Sequence, residues 1–594
     1  MNPITMNLGR TVLMGLAAVL AACGGPDPTP AKPAALEAVA LSDHQVRLSW
    51  PAAAYARTYE IERSTAKGVY ELLAQGTDTT YVDGTASPDQ RYSYRVRALN
   101  RGGASGWAES GEVITLPKPT PRAHLEGLFG PKRDWPLVAT HGVLLPDGTL
   151  MSWYSQDTIG NHRDNTDPIY HTNTRVDLWN PRTLEHRAAD NNTTDLLCVG
   201  HVVLSDGRLF AAGGNLGATN GSDHTNYYDP ARGAWTPGPV MAGGRWYPTL
   251  TLLPNKEVLI IGGSDAQGKD NPVPEVLQSD GTLRLLSNAR TDTWDLNHWY
   301  PWMFVTPMGK VFHAGSTNRL RFLEPSGQGA WDEGYPRDGK NRWYGSAVMY
   351  QPGKILVIGG GGPDATTTLL DVSVYGEPTV TPGPPMAYGR THFDATLLAD
   401  GRVFVNGGND GEKFSDEATV YDSEIWDPKA NAWTLGATAQ VPRNYHSTAL
   451  LLPDGTVWTA GGGGCGEGCT VNHLNYEIYY PPYLFEPDGS GSSRYARRPS
   501  LTGAPRTLAY DQRFTLQSPD APSIASVSLV ALGAATHGFN MNQRFLELPI
   551  TDRGAGTLQV TTPANPNLAP PGFYLLFILD KRGVPSVGEI VQLE

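Results

Sequence analysis

Short apolar strands separated by tight polar turns recur along most of this chain. Seven segments share one pattern, in which apolar residues lead into a polar turn and a second apolar strand follows. A pair such as Asp-Gly at the turn favours a β-hairpin, because the turn needs a positive φ. The turns fall at Asp147-Gly148, Asp206-Gly207, Asn255-Lys256, Met308-Gly309, Pro352-Gly353, Asp400-Gly401 and Asp454-Gly455.

The spacing of these turns indicates a repeat architecture. It is roughly 50 residues, which is typical of kelch-type blades of four strands. Paired glycines follow the turns in five of the segments, as expected where strands crowd a central axis: Gly213-Gly214, Gly262-Gly263, Gly359-Gly360, Gly407-Gly408 and Gly461-Gly462. We therefore predict a seven-bladed kelch-type β-propeller over residues 124–486.

Two further β regions flank the predicted propeller, so the fold class is all-β. Residues 34–117 alternate apolar and polar positions between turn residues, as a small antiparallel sandwich requires. This region resembles a fibronectin type III domain at Trp50, Tyr59, Tyr81 and Tyr92. Residues 497–594 again alternate in short strands, and we predict an immunoglobulin-like β-sandwich there.

The first residues indicate export. Arg10 precedes the apolar stretch from Thr11 to Ala22, which is too short for a membrane-spanning helix. Small residues then lead into Cys23, so residues 1–23 resemble a bacterial lipoprotein signal and residues 24–33 a flexible tether. We expect a lipidated Cys23 on a cell-surface or outer-membrane lipoprotein, attached to the membrane only through that anchor. The alternative is ordinary signal-peptide cleavage and a secreted or periplasmic protein.

Charge and cysteine content narrow the functional classes. The net charge is −13 and the basic residues are scattered, which argues against nucleic acid as a partner. Four cysteines are present, and the loop between Cys465 and Cys469 could close a small disulfide in an oxidising compartment. Cys198 is then left over, and it is either buried and inert or used in chemistry.

The residues with the most chemical potential stand just before the repeat turns. Cys198, Tyr247, Tyr445 and His446 each lie where an innermost strand begins, so superposed blades would gather them at one face. Neighbours on a regular strand point to opposite sides, and Tyr445 and His446 can therefore converge only at an irregular strand start. His537 lies in a small-residue loop of the last region and could reach the axis. Each of these residues alone is more often structural.

Together these residues resemble the copper-radical oxidases, the family of galactose oxidase and glyoxal oxidase. The resemblance runs from about Asp134 to Glu594. It is carried by Tyr445-His446 before Leu451-Leu452-Pro453-Asp454-Gly455, Gly461–Gly464 with Cys465 and Cys469, Asn472-His473, Ala535-Thr536-His537, Gln543-Arg544 and Gly583-Val584-Pro585-Ser586.

The resemblance implies a ligand set and a protein-derived cofactor. Tyr247 would be an equatorial copper ligand cross-linked through its ring to the sulfur of Cys198. Tyr445 would be the axial tyrosine, and His446 and His537 the two imidazole ligands. Cys465 and Cys469 would form the small disulfide of the family.

This ligand set suits Cu(II), and the family implies oxidation of a primary alcohol or aldehyde by O₂ with release of H₂O₂. Removing two electrons needs a second one-electron centre beside copper, and a thioether-substituted Tyr247 is easier to oxidise than plain tyrosine. Tyr445 would take the proton of the substrate hydroxyl.

One departure from the family concerns the substrate. Asp265 follows Gly262-Gly263-Ser264, where galactose oxidase has a stacking tryptophan. This favours a glyoxal oxidase-like enzyme, with a free or glycan-linked substrate, over a galactose oxidase. We do not assign the stacking role to Trp246, which lies on the other side of Tyr247, and consider Trp299 or Trp343 instead.

A non-catalytic surface protein that binds carbohydrate or mediates adhesion is the alternative function. The remaining histidines near the turns are expected to be structural or to support the ligands, and we expect a monomer. Those histidines are His141, His201, His298, His392 and His473.

Overall fold

The computed structural model describes residues 27–594 apart from 67, 156–171, 218, 295, 297, 412–413, 465–468 and 470. The chain divides into two compact units, Met1–Thr115 and Leu116–Glu594. Strands dominate both units, and the described helical structure is limited to α1 (Ala123–Glu126) and short 3-10 helices at Asp416–Ala418, Pro482–Leu484 and Ala521–Ser523. No helix in the described part of the chain is both long and apolar enough to cross a membrane.

The first unit contains two antiparallel sheets. One has the order β1-β2-β5 and the other the order β4-β3-β6-β7, with β8 and β9 also paired to β6. Alternate residues of β6 are buried against Trp50 and Tyr59, as the sequence pattern predicts. The strands are β1 (Glu37–Ala40), β2 (Val46–Ser49), β3 (Thr58–Ala66), β4 (Val69–Gly76), β5 (Thr80–Asp83), β6 (Arg91–Asn100), β7 (Gly103–Ala104), β8 (Ala108–Glu109) and β9 (Val113–Ile114).

The second unit begins with β10 (Leu128–Phe129) and β11 (Arg133–Asp134), followed by successive antiparallel meanders. The first three meanders are β12 (His141–Leu144), β13 (Leu150–Ser155), β14 (Thr174–Trp179) and β15 (His186–Ala188); β16 (Val199–Val203), β17 (Leu209–Gly213), β18 (Thr225–Asp229) and β19 (Ala234–Pro237); and β20 (Thr249–Leu252), β21 (Val258–Ile261), β22 (Glu275–Leu277) and β23 (Leu283–Leu285).

The next three meanders repeat this arrangement, and the last sheet takes its outer strand from the start of the unit. The order of this last sheet is β10-β39-β38-β37. Its strand β37 contacts β12 of the first sheet. These strands are β24 (Met303–Val305), β25 (Val311–His313), β26 (Arg319–Glu324), β27 (Ala330–Trp331) and β28 (Tyr335–Pro336); β29 (Ser346–Gln351), β30 (Lys354–Ile358), β31 (Thr367–Asp371) and β32 (Thr379–Gly383); β33 (Thr391–Leu397), β34 (Val403–Asn409), β35 (Asp422–Asp427) and β36 (Ala432–Thr438); and β37 (Ser447–Leu451), β38 (Val457–Gly461) and β39 (Asn475–Tyr480).

The seven sequence-predicted turns each join the first strand of a sheet to the second. The second residue of every turn has a positive φ, from 69° at Lys256 to 91° at Gly207. The paired glycines lie where neighbouring sheets meet closely. A Cβ at Gly213 would lie 2.3 Å from the Arg245 carbonyl oxygen, and one at Gly461 would lie 2.7 Å from that of Ala139. The predicted positive φ at the turns and the predicted crowding at the paired glycines are confirmed at these positions.

The C-terminal region forms two sheets around a separate apolar core, with the orders β42-β51-β50-β44-β47 and β43-β49-β48. The hairpin of β45 and β46 leaves these sheets and pairs with β12, with Thr536 opposite His141. The strands are β40 (Phe485–Pro487), β41 (Ser493–Tyr495), β42 (Thr507–Leu508), β43 (Arg513–Gln517), β44 (Ile524–Ala531), β45 (Ala534–Thr536), β46 (Phe539–Asn540), β47 (Phe545–Leu548), β48 (Ile550–Arg553), β49 (Thr557–Thr561), β50 (Gly572–Asp580) and β51 (Glu589–Leu593). This pairing brings His537 to the inner strands of the meanders.

Candidate functional site

Four of the five predicted site residues share an unusual backbone conformation, and Tyr445 is the exception. Cys198 has a φ of 66°, Tyr247 of 68°, His446 of 68° and His537 of 50°. Non-glycine residues in this left-handed region are uncommon and concentrate at functional sites, because each one is held there at a cost by its surroundings. Cys198, Tyr247 and His446 each stand just before an innermost strand, so His446 does lie at the irregular strand start that the sequence predicts.

Further residues share this conformation; sequence reasoning missed Tyr300 and Tyr344 and expected His392 only as a structural or supporting residue. Tyr300, Tyr344 and His392 have φ values of 47°, 58° and 57° and occupy equivalent places at the starts of the intervening sheets. Tyr300 packs against Tyr247 with ring centroids 4.6 Å apart. His392 lies between Tyr344, at 4.1 Å, and Tyr445, at 5.2 Å. Left-handed residues therefore surround the site on several sheets.

Buried arginines support these strand starts. Each one precedes a left-handed residue and donates a hydrogen bond to the carbonyl of the first glycine of the Gly-Gly pair in the same sheet. Arg245 donates to Gly262 at 2.8 Å, and Arg443 donates to Gly461 at 2.9 Å. The equivalent bonds run from Arg342 to Gly359 and from Arg390 to Gly407. A repeated arginine before the turn motif was the sequence signal for this scaffold.

The spacing after these arginines differs at one position. One residue separates Arg245 from the left-handed Tyr247, whereas two residues separate Arg443 from the left-handed His446. The extra residue is Tyr445. Its ring stacks on that of His446, with centroids 3.9 Å apart. One additional residue thus allows the seventh sheet to present two side chains to the site.

The structure brings the five predicted residues together. The hydroxyls of Tyr247 and Tyr445 are hydrogen-bonded to each other. The Cys198 sulfur and one nitrogen each of His446 and His537 lie within 4.8 Å of one another. The His537 ring lies 4.5 Å from Tyr247 and 4.7 Å from His446, measured between centroids. Residues from four separate segments therefore share one small volume.

Hydrogen bonds fix how both imidazoles are protonated. His446 Nδ1 lies 2.8 Å from the Gly463 carbonyl oxygen, which only accepts, so Nδ1 carries the proton. His537 Nδ1 lies 2.6 Å from the Thr536 hydroxyl, whose own hydrogen goes to the Thr140 carbonyl. Both Nε2 atoms are therefore left with a lone pair. His537 Nε2 is buried with no hydrogen-bond partner among the described residues.

These donors fit a copper ion. Two neutral imidazole nitrogens and two phenol oxygens are ligands that suit Cu(II). Burial raises the pKa values of the Tyr247 and Tyr445 phenols well above the ordinary value of a tyrosine. Burial also raises the pKa of the Cys198 thiol. Without a metal, the site thus favours the protonated, neutral forms of these side chains. A bound cation has the opposite effect on the two phenols, because it stabilises their phenolate forms.

Tyr247 lies between two aromatic rings. Trp246 stacks on it with centroids 3.6 Å apart and planes 11° apart, and Tyr300 stacks at 4.6 Å and 26°. Trp246, to which sequence reasoning assigned no stacking role, therefore does stack on Tyr247. Alternation of neighbouring side chains holds for a regular strand, and the left-handed Tyr247 interrupts it. Trp299 meets Tyr247 edge-on at 6.2 Å, and Trp343 is 40% exposed.

The other histidines have structural partners. His141 Nε2 accepts from the Cys198 amide at 2.9 Å, and His201 contacts the Gly142 carbonyl at 3.3 Å. His298 lies 2.8 Å from a carboxylate oxygen of Asp270, and His473 lies 2.8 Å from one of Asp416. His392 makes the ring contacts given above.

The remaining sequence predictions have different outcomes. Asp265 caps a turn in its own loop, accepting from the amides of Gln267 and Lys269, so it does not take the place of a stacking ring. Cys198 is free and buried, whereas Cys469 is disulfide-bonded. Cys465 and Cys23 lie outside the described residues, so the predicted pairing and the predicted lipidation stay predictions.

Comparison with known proteins identifies relatives of this chain. The family model described as "Galactose oxidase-like, Early set domain" matches residues 498–593. A galactose oxidase of Gibberella zeae is 30% identical over 533 residues, covering 84% of this chain and 75% of the relative. The aldehyde oxidase GLOX1 of Arabidopsis thaliana is 27% identical over 452 residues, covering 68% and 72% respectively.

A solved structure extends the likeness to three dimensions. It is a fungal alcohol oxidase in complex with copper, described as showing catalytic diversity among the AA5 family. It aligns with a TM-score of 0.70 and 28% identity over 79% of this chain and 99% of its own.

Fold, site and relatives together define a copper-dependent oxidase acting on alcohols or aldehydes. The chain belongs to the copper-radical oxidase family, which includes galactose oxidase and the glyoxal oxidases.

Proposed function

We propose that this protein oxidises a primary alcohol or aldehyde with O₂, giving an aldehyde or acid and H₂O₂. Tyr247, Tyr445, His446 and His537 would hold one copper ion, and Cys198 would be joined to the Tyr247 ring by a thioether. The observation that carries the proposal is the hydrogen bond between the Tyr247 and Tyr445 hydroxyls, beside the two imidazoles.

The stoichiometry explains why a modified tyrosine is needed. A primary alcohol, or an aldehyde after addition of water as its hydrate, loses two electrons and two protons, and O₂ takes up both pairs to become H₂O₂. Copper, when bound, supplies a one-electron acceptor and a site at which substrate and O₂ react. Tyr247 would supply the second one-electron centre. Its ring is 5% exposed, and stacking by Trp246 and Tyr300 keeps water from an oxidised form.

Tyr445 would act as the general base. Its oxygen is next to that of Tyr247, so the proton of a substrate hydroxyl and the hydrogen of the adjacent carbon would be received at neighbouring atoms. His446 and His537 would keep their Nδ1 protons throughout, because Gly463 and Thr536 hold them. Tyr445 would thus accept the proton, and Tyr247 would accept the hydrogen from carbon.

The substrate is expected to be a small alcohol or aldehyde of the glyoxal oxidase type, free or linked to a glycan. Asp265 is occupied with its own loop and offers no ring for a sugar to stack on. Instead, the half-buried Phe414 packs 4.6 Å from Tyr445, and Tyr344, 45% exposed, packs 5.8 Å from Phe414. Aromatic side chains thus lead from Tyr445 towards solvent, which favours compact substrates over hexoses held by many hydrogen bonds.

The proposal extends to the architecture. We infer that the seven sheets close into a kelch-type propeller, with the sandwiches before and after it as separate domains. The pairing of β10 with β39 supports this closure, because it joins the two ends of the repeat region. The β45–β46 hairpin would then deliver His537 along the propeller axis.

The test is an H₂O₂-coupled assay of copper-loaded protein on short aldehydes, glycerol, galactose and polysaccharides. We expect turnover on small substrates that Tyr247→Phe reduces to the level of copper-free protein. Tyr228→Phe is the matched control, since Tyr228 is equally buried but packs on Trp235 away from the site. Full activity of Tyr247→Phe would contradict the proposal.

A further inference from the structure

Both peptide groups that flank the Cys198 side chain are held by hydrogen bonds. The Cys198 N–H donates to His141 Nε2 at 2.9 Å, and its carbonyl accepts from the Tyr247 N–H at 2.9 Å. Cys198 has a φ of 66°, in the region where a side chain crowds its own backbone. A residue other than glycine rarely adopts that conformation in an unconstrained chain. The two bonds therefore hold Cys198 in a conformation that it would not adopt by itself.

His141 is built to make this contact. It lies on β12, fully buried, with its ring parallel to Trp153 at 4.9 Å and 4°. The backbone of His141 is paired on one side with Trp153 and on the other with Thr536. The position from which its side chain extends is therefore fixed. Because an amide only donates, Nε2 must present its lone pair and Nδ1 must carry the proton.

The position of His141 separates it from the metal ligands. Its ring centroid lies 5.9 Å from that of His537, and its Nε2 atom is committed to the Cys198 amide. A side chain that fixes the backbone of the cysteine, without itself coordinating, acts on where the sulfur points. The sulfur already lies in the cluster with His446 and His537.

We propose that His141 is a positioning residue for formation of the thioether, holding Cys198 so that its sulfur faces the Tyr247 ring. This inference rests on the proposed function. In the reaction the Cys198 S–H bond and one ring C–H bond of Tyr247 break, and a C–S bond forms. The two electrons and two protons that are released reduce O₂ to H₂O₂, with copper as the catalyst.

Two substitutions at His141 differ only in reach. In His141→Gln the side-chain carbonyl extends to about the place of Nε2 and can accept from the Cys198 amide. In His141→Asn the shorter amide falls short. His201→Asn is the matched control, because His201 is equally buried and packs on the same Trp153 at 4.7 Å but contacts the Gly142 carbonyl instead.

The measurement follows cross-linking directly. Full-length protein purified without copper is mixed with Cu(II) in air, quenched at intervals and analysed by denaturing mass spectrometry for the loss of two hydrogens. Peptide mapping after reduction identifies the Cys198–Tyr247 link. We expect His141→Asn to form the link roughly tenfold more slowly than wild type, which corresponds to ~1.4 kcal/mol. His141→Gln and His201→Asn should stay within about threefold of wild type, less than ~0.7 kcal/mol.

The outcomes separate this inference from the function on which it rests. Wild-type protein that never forms the link contradicts the proposed function. Link formation in His141→Asn at the wild-type rate, or equal slowing in His201→Asn, overturns the role of His141. If His141→Asn does not fold, the rate of His141→Gln decides, since tenfold slowing in a variant that keeps the acceptor would also overturn it.

Discussion

The Thr536 hydroxyl controls the orientation of one predicted copper ligand. It donates to the Thr140 carbonyl at 3.0 Å and lies 2.6 Å from His537 Nδ1. Thr536 is fully buried, so water does not replace either bond. The hydroxyl therefore holds the His537 ring with its Nε2 lone pair towards Tyr247 and His446. Thr536→Val removes this hydroxyl with little change of shape.

The magnitude follows from the bonds that are lost. The substitution leaves the buried Nδ1–H of His537 without its acceptor, which costs about 1–3 kcal/mol. The Thr140 carbonyl keeps a second donor, the Thr448 hydroxyl at 2.9 Å. Loss of a partner that orients a histidine ligand typically weakens metal binding by about 10–100-fold, in agreement with that energy. We expect Thr536→Val to bind Cu(II) about 10–100-fold more weakly than wild type.

The assay is competition for Cu(II) against a chelator of known affinity. Thr448→Val is the matched control, because it removes the other hydroxyl on the same carbonyl and does not touch His537. Thr536→Ser restores the hydroxyl and should restore most of the affinity. Unchanged affinity in Thr536→Val, or an equal loss in Thr448→Val, would refute the reasoning.

Three further predictions concern the cross-link, the stacked ring and a buried acid. Cys198→Ser should still bind copper, measured by metal analysis, but should lose nearly all turnover in the H₂O₂-coupled assay; full activity would exclude the thioether. Trp246→Ala should shorten the lifetime of the oxidised Tyr247 ring, followed by its visible absorption, because one stacked face becomes open to water, and an unchanged decay would remove its shielding role. Burial raises the pKa of Asp394 from 3.8 to about 7, so the folded state keeps a proton that the unfolded state loses, and the free energy of unfolding should fall as pH rises from about 4 to above 7. Asp394→Asn should abolish that fall and gain up to about 4 kcal/mol over wild type at pH 8, measured by chemical denaturation at pH 5 and pH 8; equal pH slopes for the two proteins would contradict this assignment.

Much of the repeat region could be predicted because its signals are local. A positive φ at a tight turn and the absence of room for a Cβ are requirements that single residues reveal, as at Gly207 and Gly213. The pairing of Tyr445 with His446 was also accessible, since alternation on a regular strand cannot bring neighbours together.

The remainder depended on contacts between sheets. The sandwich of Tyr247 between Trp246 and Tyr300 requires a left-handed residue at two strand starts, and nothing in the local sequence separates that conformation from an extended one. The bond from the Cys198 amide to His141 likewise joins residues of different sheets. Such contacts decide which way a side chain faces. The sequence pattern shows which residues are present but does not show these contacts.

The central claim is that four residues from three separate segments of the chain share one metal ion. Anomalous diffraction at the copper edge from crystals of copper-loaded protein tests it most directly. We predict a single anomalous peak within bonding distance of the Tyr247 and Tyr445 oxygens and of the Nε2 atoms of His446 and His537. Copper bound elsewhere, or a peak that leaves out either tyrosine, would contradict the account.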